Sequence, residues 1–169
     1  AGTGKSTLLE YFREKTKKNT AIVAHQGITA LKAKGQTIHS FFKFPTHFVT
    51  KKDVKILRDR ELVRRLDILI IEEVSMVRAD VFDAIDISLR KNRSIDKPFG
   101  GVQIILFGDV MQLDPIIGSE KELCEKFYPD GSYFFNSNIY NETEFKKIEL
   151  TETFRQKEKK FVNLLNKIR

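Results

Sequence analysis

A single cysteine, Cys124, stands in 169 residues, which excludes an internal disulfide and suits a reducing, intracellular compartment. It reads as a small apolar residue on a helix around Glu122 to Phe127. No apolar run approaches the length of a membrane span and no signal peptide is visible, so no membrane partner is expected. Internal repeats and low-complexity segments are also missing. The length suits one domain with a proper core and is too short for two large ones. A net charge of +7 and a pI near 9.4 are compatible with nucleic acid. The excess is mostly lysine spread along the chain, however, which fits a solvated surface as well as a binding stripe.

What is present begins at once. AGTGKST (Ala1 to Thr7) fits the second half of the phosphate-loop pattern G-x-x-x-x-G-K-[ST]. Its glycines let several backbone N–H groups curl toward one phosphate, and the following helix adds the positive end of its dipole. Gly2, Thr3, Gly4, Lys5, Ser6 and Thr7 are the expected nucleotide contacts. Lys5 places a point charge on the β/γ-phosphates, and Ser6 offers a hydroxyl to a bridging magnesium. The first glycine of the pattern would fall two residues before Ala1. The chain is therefore expected to be a fragment cut inside its phosphate loop.

Apolar strands then alternate with helices. Thr20–Ala24, Asp67–Ile71 and Val102–Phe107 read as buried strands, and Ile148–Leu150 and Tyr133–Phe135 as short ones. ITALKAK reads as a helix closed by Gly35 as C-cap, Lys51–Leu66 as one or two surface helices, and Phe161 to Ile168 as a last amphipathic helix. Val77, Val81, Ile85 and Leu89 recur every four residues, giving an amphipathic helix that ends in a basic KNR. The pattern predicts an α/β fold with a mostly parallel sheet and helices on both faces. Ligands in such folds sit beyond the carboxyl ends of the strands.

The chemistry-bearing residues fall at those ends. Glu72 and Glu73 follow the DILII strand, as a metal-side carboxylate and a general base for water respectively. Gly108, Asp109 and Gln112 combine a turn, a carboxylate and an amide. Arg155 in TETFRQ offers a fork for a terminal phosphate. QTIHSFF and FKFPTHF mix aromatics with cations, which suits single-stranded nucleic acid, although most of their phenylalanines are expected in the core. His39 lacks a His or Cys neighbour at zinc spacing and reads as a backbone contact or helix cap, not a metal ligand.

In this order the motifs resemble one family, the Pif-type, RecD-like branch of superfamily 1 DNA helicases. AGTGKST looks like its motif I and VAHQGITALKAKGQTIHSFF like its motif Ia region. IIEEVSMV resembles motif II, GDVMQLDPI motif III, and LTETFRQ motif IV. The resemblance covers the whole chain. It implies a RecA-like P-loop NTPase fold over residues 1–169, the first ATPase domain, with a second RecA-like domain expected outside this chain. It further implies ATP and Mg²⁺ as cofactors, with Lys5, Glu73, Gln112 and Arg155 in catalysis and Ser6 and Glu72 at the metal. Asp109, Gln112 and Arg155 would sense the γ-phosphate, and His25, Gln26, Thr37 and His39 would line a single-strand track. The activity implied is ATP-driven 5′→3′ movement on single-stranded DNA. Forked and G-quadruplex DNA are implied substrates, in repair, recombination, telomere or fork processing. The compartment would be cytoplasm or nucleoid in a prokaryote or virus, and nucleus or mitochondrion in a eukaryote.

Three residues depart from the family pattern. Glu72 replaces an Asp and carries its carboxylate one bond further out, a change that bears on Mg²⁺ geometry. His25-Gln26 replaces Pro-Thr, and Asp114 replaces the first Pro of a Pro-Pro pair, a change expected to be of small consequence. These departures keep a second reading open, a degenerate nucleotide-gated single-stranded DNA-binding protein with little turnover. A RecD or relaxase-type helicase subunit is the alternative within the same branch.

Overall fold

The computed structural model describes residues 3–151. The expectations for Gly2, Arg155 and the last helix fall outside the described residues. The chain divides into two units, Lys18–Phe145 and a terminal unit to which residues 3–17 and 146–151 belong.

In the terminal unit, α1 spans Lys5–Lys15 and its N-cap, Gly4, takes φ 85°. That left-handed conformation, open to glycine without a Cβ penalty, turns the loop into the helix. No acidic residue stands in the first turn, whereas Arg13 and Lys15 occupy the last, the charge order that complements the helix dipole. Ile148–Leu150, read from its β-branched sequence as a strand, forms none.

The larger unit is built on a four-stranded parallel sheet in the order β2-β1-β3-β4. β1 is Thr20–Ala24, β2 Gln36–Thr37, β3 Ile68–Glu72 and β4 Gln103–Leu106. β3 is central, with Ile68 to Ile71 all buried, because its run is apolar on both faces. β4 is exposed at Gln103 and half-buried over the rest, so the expectation of a second fully buried strand does not hold. α2 is Gly27–Lys32, α3 Ile38–Phe42, α4 Arg60–Arg65, α5 Ala79–Arg93, α6 Lys121–Phe127 and α7 Asn138–Glu142. The four-residue stripe of α5 is buried as its spacing predicts, and Cys124 is buried on α6. Among the described residues no helix is long and apolar enough to cross a membrane.

Gly35 does not cap α2 through a positive φ. Lys34 takes the left-handed conformation instead, at φ 54°. Gly35 is needed for space, since a Cβ there would lie 2.3 Å from the carbonyl oxygen of Ile22. Lys51–Leu66 is mostly irregular, with helix only at α4, whose Val63 turns into the core. Its backbone is satisfied by α5 side chains. Asn92 Oδ1 accepts from Leu57 N, Lys91 Nζ donates to Val54 O, and Arg93 Nη1 donates to Val63 O and Leu66 O. Tyr133–Phe135 is not a strand: Tyr133 makes one antiparallel bridge with Arg78, and Phe134–Asn136 forms a 3₁₀ turn. Its rings join an aromatic cluster over Phe82, which packs on Phe99, Phe134, Tyr140 and Phe145.

Three aspartates spaced three apart on α5 pin the surrounding loops. Asp80 accepts from Val49 N at 2.7 Å, and Asp86 from Phe99 N at 2.6 Å. Asp83 accepts from Tyr128 Oη (2.8 Å), Asn138 Nδ2 (2.7 Å), Asn138 N (3.3 Å) and Ile139 N (2.9 Å). Two of these donors are first-turn N–H groups of α7 that have no intrahelical partner. Burial, together with the Asp83 charge, pushes the Tyr128 phenol far above its ordinary value, so it stays a donor. Asp83→Ala leaves all four donors unsatisfied, and urea unfolding is expected to show a loss of about 2–4 kcal/mol.

Candidate functional site

Parallel pairing aligns the strand ends. Ala24 stands opposite Glu72 and Ile71 opposite Leu106, so the segments following β1, β3 and β4 leave the sheet at one edge. Those segments carry His25-Gln26, Glu73, and Gly108-Asp109 with Gln112. Register therefore brings together the strand ends that these segments follow.

Glu73 has φ 51° and ψ 49°, a left-handed conformation uncommon for a residue with a side chain. It caps a 3₁₀ turn, Val74–Met76, whose residues are all buried. Val74 N donates to Phe107 O and Phe107 N to Ile71 O, each at 2.9 Å, which locks the turn to the end of β4. The next residue on that side is Gly108. A Cβ there would lie 2.8 Å from Val74 Cγ1 and 3.2 Å from Val74 N, so only glycine lets the two turns nest. Backbone strain thus sits at the residue proposed as base, held by its neighbours.

After Gly108, the buried Asp109 organises its own loop. Its Oδ1 accepts from Met111 N at 3.2 Å and its Oδ2 from Gln112 Nε2 at 2.9 Å. The carboxylate and amide read three residues apart in sequence are therefore in direct contact, and Gln112 is exposed. Asp114 accepts a hydrogen bond from Tyr133 Oη at 2.5 Å at the surface.

Of the four residues expected on a single-strand track, Thr37 is the N-cap of α3, where its hydroxyl accepts from Ser40 N at 3.2 Å. His25 and His39 are half-buried and meet edge to face with ring centroids 5.9 Å apart. Burial, then the Arg78 charge, lowers the His25 pKa. Burial, His25 and Arg78 lower that of His39, against a smaller opposing pull from Asp80. Both are neutral imidazoles at neutral pH. Gln26 is half-buried at the N-cap of α2. Phe42, Phe44 and Phe48 are core residues, as expected, and Phe41 is partly buried.

Sequence reading missed one feature. Arg78 and Asp80 form a desolvated ion pair, with side chains 7% and 1% exposed. Arg78 Nε and Nη2 donate to the two carboxylate oxygens at 2.8 and 2.7 Å, and Nη2 also donates to His47 O. Opposite charges two apart at a helix start read as surface residues, and nothing in their spacing signals burial.

The donor sets fit the implied ligands. In α1, a left-handed glycine, an acid-free first turn and the exposed Ser6 hydroxyl suit a phosphate. No group of three or more His, Cys, Asp or Glu gathers among the described residues.

A family model described as PIF1-like helicase matches residues 1–169. The ATP-dependent DNA helicase PIF1 of Candida albicans is 35% identical over 185 residues, spanning 100% of this chain and 20% of that protein. The Pif1 helicase from Bacteroides in complex with ADP-AlF3 and single-stranded DNA superposes with a TM-score of 0.92 at 44% identity. It covers 99% of this chain and 40% of its own. A Pif1 helicase structure on forked double-stranded DNA gives a TM-score of 0.93 at 43% identity, over 99% of this chain and 42% of that one. The chain thus spans about a fifth of the length of the curated relative it matches.

Glu73→Gly removes the side chain that makes a positive φ costly. Thermal and urea unfolding are expected to show a stability unchanged or raised by up to about 1 kcal/mol, whereas Glu73→Val is expected to lose at least about 1 kcal/mol.

Proposed function

The chain belongs to the PIF1-like helicase family, and from that premise we propose that it is the first RecA-like ATPase domain of an ATP-dependent 5′→3′ DNA helicase. One observation carries the reading. The parallel strands that end before His25, at Glu72 and before Gly108-Asp109 run in register, in a chain whose first residues match a phosphate loop. The names of the relatives and the ADP-AlF3 and single-stranded DNA in a structural neighbour support it.

In this reading the backbone of Gly2 to Thr7 and the Lys5 ammonium hold the phosphates of ATP, and Ser6 and Glu72 hold magnesium. The bound ion would neutralise charge on the β- and γ-phosphates. Glu73, fixed in its strained turn, orients the attacking water and accepts its proton. Gln112, held by Asp109, meets the γ-phosphate as a neutral donor, and Arg155 supplies a fork of donors to the same group. His25, Gln26 and His39 face single-stranded DNA as neutral hydrogen-bonding and stacking groups. Thr37 contributes by fixing the start of α3, the helix that carries His39. Translocation requires a second RecA-like domain to close on this one. Forked and G-quadruplex DNA, in repair, recombination or telomere maintenance, are the substrates this reading assigns to the full-length protein.

The test is unwinding by the full-length protein of duplexes bearing a 5′ or a 3′ single-stranded tail. Unwinding with the 5′ tail only, abolished by Lys5→Ala and absent from the isolated 169 residues, is expected. Glu73→Gln is expected to lower turnover by about 10²–10⁴-fold while ATP still binds. Unwinding with the 3′ tail alone, or full activity in Lys5→Ala, would overturn the proposal. Tight DNA binding without any hydrolysis would favour the degenerate binding protein, with the longer Glu72 side chain as its cause.

A further inference from the structure

α5 has two working faces. Val81, Ile85 and Leu89 enter the core. Asp80, Asp83, Ala84 and Ile87, spaced i, i+3, i+4 and i+7, line a surface groove of about 660 Å³ instead. The segment that follows α3 runs beside this helix in the same direction. Asp80 accepts from Val49 N, Lys91 Nζ donates to Val54 O, and Asn92 Oδ1 accepts from Leu57 N. Phe127, Tyr128 and residues of α7 complete the lining. Tyr128 and Ile139 are tied to Asp83, and Phe127 stacks on the buried Phe48 with ring centroids 5.5 Å apart. The walls are thus bonded to α5 or stacked on one another, and the groove is preformed.

The lining combines apolar area with charges of fixed position. Ala84, Ile87 and Ile139 supply apolar contact, and Phe127 stays 56% exposed although it is a large aromatic. Lys51 and Lys52 are the central residues of a turn in which Asp53 N donates to Thr50 O at 3.0 Å. Asp53 Oδ2 closes that turn by accepting from Thr50 N and Oγ1 at 2.9 and 2.6 Å. Both lysines are exposed at the groove, and neither makes an ion pair among the described residues. Three of the carboxylates in the lining are committed: Asp80 to Arg78, Asp86 to Arg90, and Asp83 to its four donors. Glu142, on α7, is the exposed acid of the lining.

We propose that this groove docks a short peptide segment of a partner protein, one that seats apolar side chains against Ala84, Ile87 and Phe127 and sets a carboxylate against Lys51 and Lys52. The volume suits a few side chains rather than a folded surface. Charge complementarity sets the pattern of the segment: the two uncommitted lysines attract an acid on the side of the Thr50–Asp53 turn, and Glu142 repels one on its own side. The same pattern disfavours single-stranded nucleic acid. A phosphodiester chain carries a charge at every nucleotide and would meet Glu142 and Asp83, whereas a peptide places single acids only where the lysines stand. The Phe127 ring is moreover already stacked on Phe48, which takes up a surface that a base would need. Aromatic and aliphatic anchors within a charged rim are the usual composition of a protein-docking site. The groove shares no residue with the strand-end site, and docking there leaves the chemistry of that site unchanged.

The test is fluorescence anisotropy on the full-length protein with two labelled peptides, Asp-Glu-Phe-Leu-Gln-Leu-Leu and its basic counterpart Lys-Arg-Phe-Leu-Gln-Leu-Leu. The acidic peptide is expected to bind about tenfold more tightly than the basic one. The double variant Lys51→Glu/Lys52→Glu, confined to exposed side chains of a turn, should erase or invert that preference with melting temperature and ATP turnover unchanged. Ile87→Glu places a charge on the apolar floor and should weaken both peptides by at least about tenfold. Equal affinity for the two peptides would overturn the proposal, as would a preference that survives the lysine double variant. So would a wild-type protein that binds neither peptide, whether another segment of the full-length chain fills the groove or nothing does. Displacement of the acidic peptide by oligothymidylate, with oligothymidylate binding itself lost in the lysine variant, would assign the groove to nucleic acid instead. Self-association abolished by the same variant would assign it to a second copy of the chain.

Discussion

The strand-end site depends on one constraint, the placement of β3 between two parallel neighbours with its apolar run buried throughout. Register with β1 and β4 is fixed because a one-residue slip would turn buried side chains to the wrong face and leave ladder groups unpaired. Once register is fixed, Glu72 ends beside Ala24, and the first residues after each strand share an edge. The hydrogen bond from Val74 N to Phe107 O and the missing Cβ at Gly108 then close that edge into one nested pair of turns. Glu73 holds its left-handed backbone only because these contacts over-determine it.

Polar clamps complete what the sheet begins. α5 is more than an amphipathic helix, since its polar residues engage the chain on several sides. Asp80, Asp83 and Asp86 accept from the backbone N–H groups of Val49, Ile139 and Phe99, while Lys91, Asn92 and Arg93 satisfy the irregular stretch before β3. Long stretches without secondary structure are thereby ordered at little helical cost, and the aromatic cluster over Phe82 fills the space they enclose. The same device, placed at the start of α5, fixes Arg78 against Asp80 and the backbone of His47.

What could be read from the sequence follows from this physics. β1, β3 and the α5 stripe were legible because continuous apolar runs and a four-residue period have few structural alternatives. The strand-end residues were legible because parallel α/β sheets put ligands there. Tyr133–Phe135 and Ile148–Leu150 were misread as strands, since aromatic and β-branched residues have strand propensity wherever they lie. Packing under α5 decided the first case. Gly35 was given a conformational role when its true reason, the backbone of Ile22, lies across the sheet. The Asp114–Tyr133 hydrogen bond could not be read because its partners are distant in sequence. The Arg78–Asp80 pair was invisible for the same reason: only tertiary structure shows that it is buried.

The central claim is that this chain serves a motor in which ATP hydrolysis is coupled to single-stranded DNA. The most direct measurement is steady-state ATP hydrolysis by the full-length protein with and without single-stranded DNA, beside a Lys5→Ala control. Hydrolysis strongly stimulated by DNA, and lost in the control, is the predicted result. Hydrolysis indifferent to DNA, or surviving in Lys5→Ala, would contradict it.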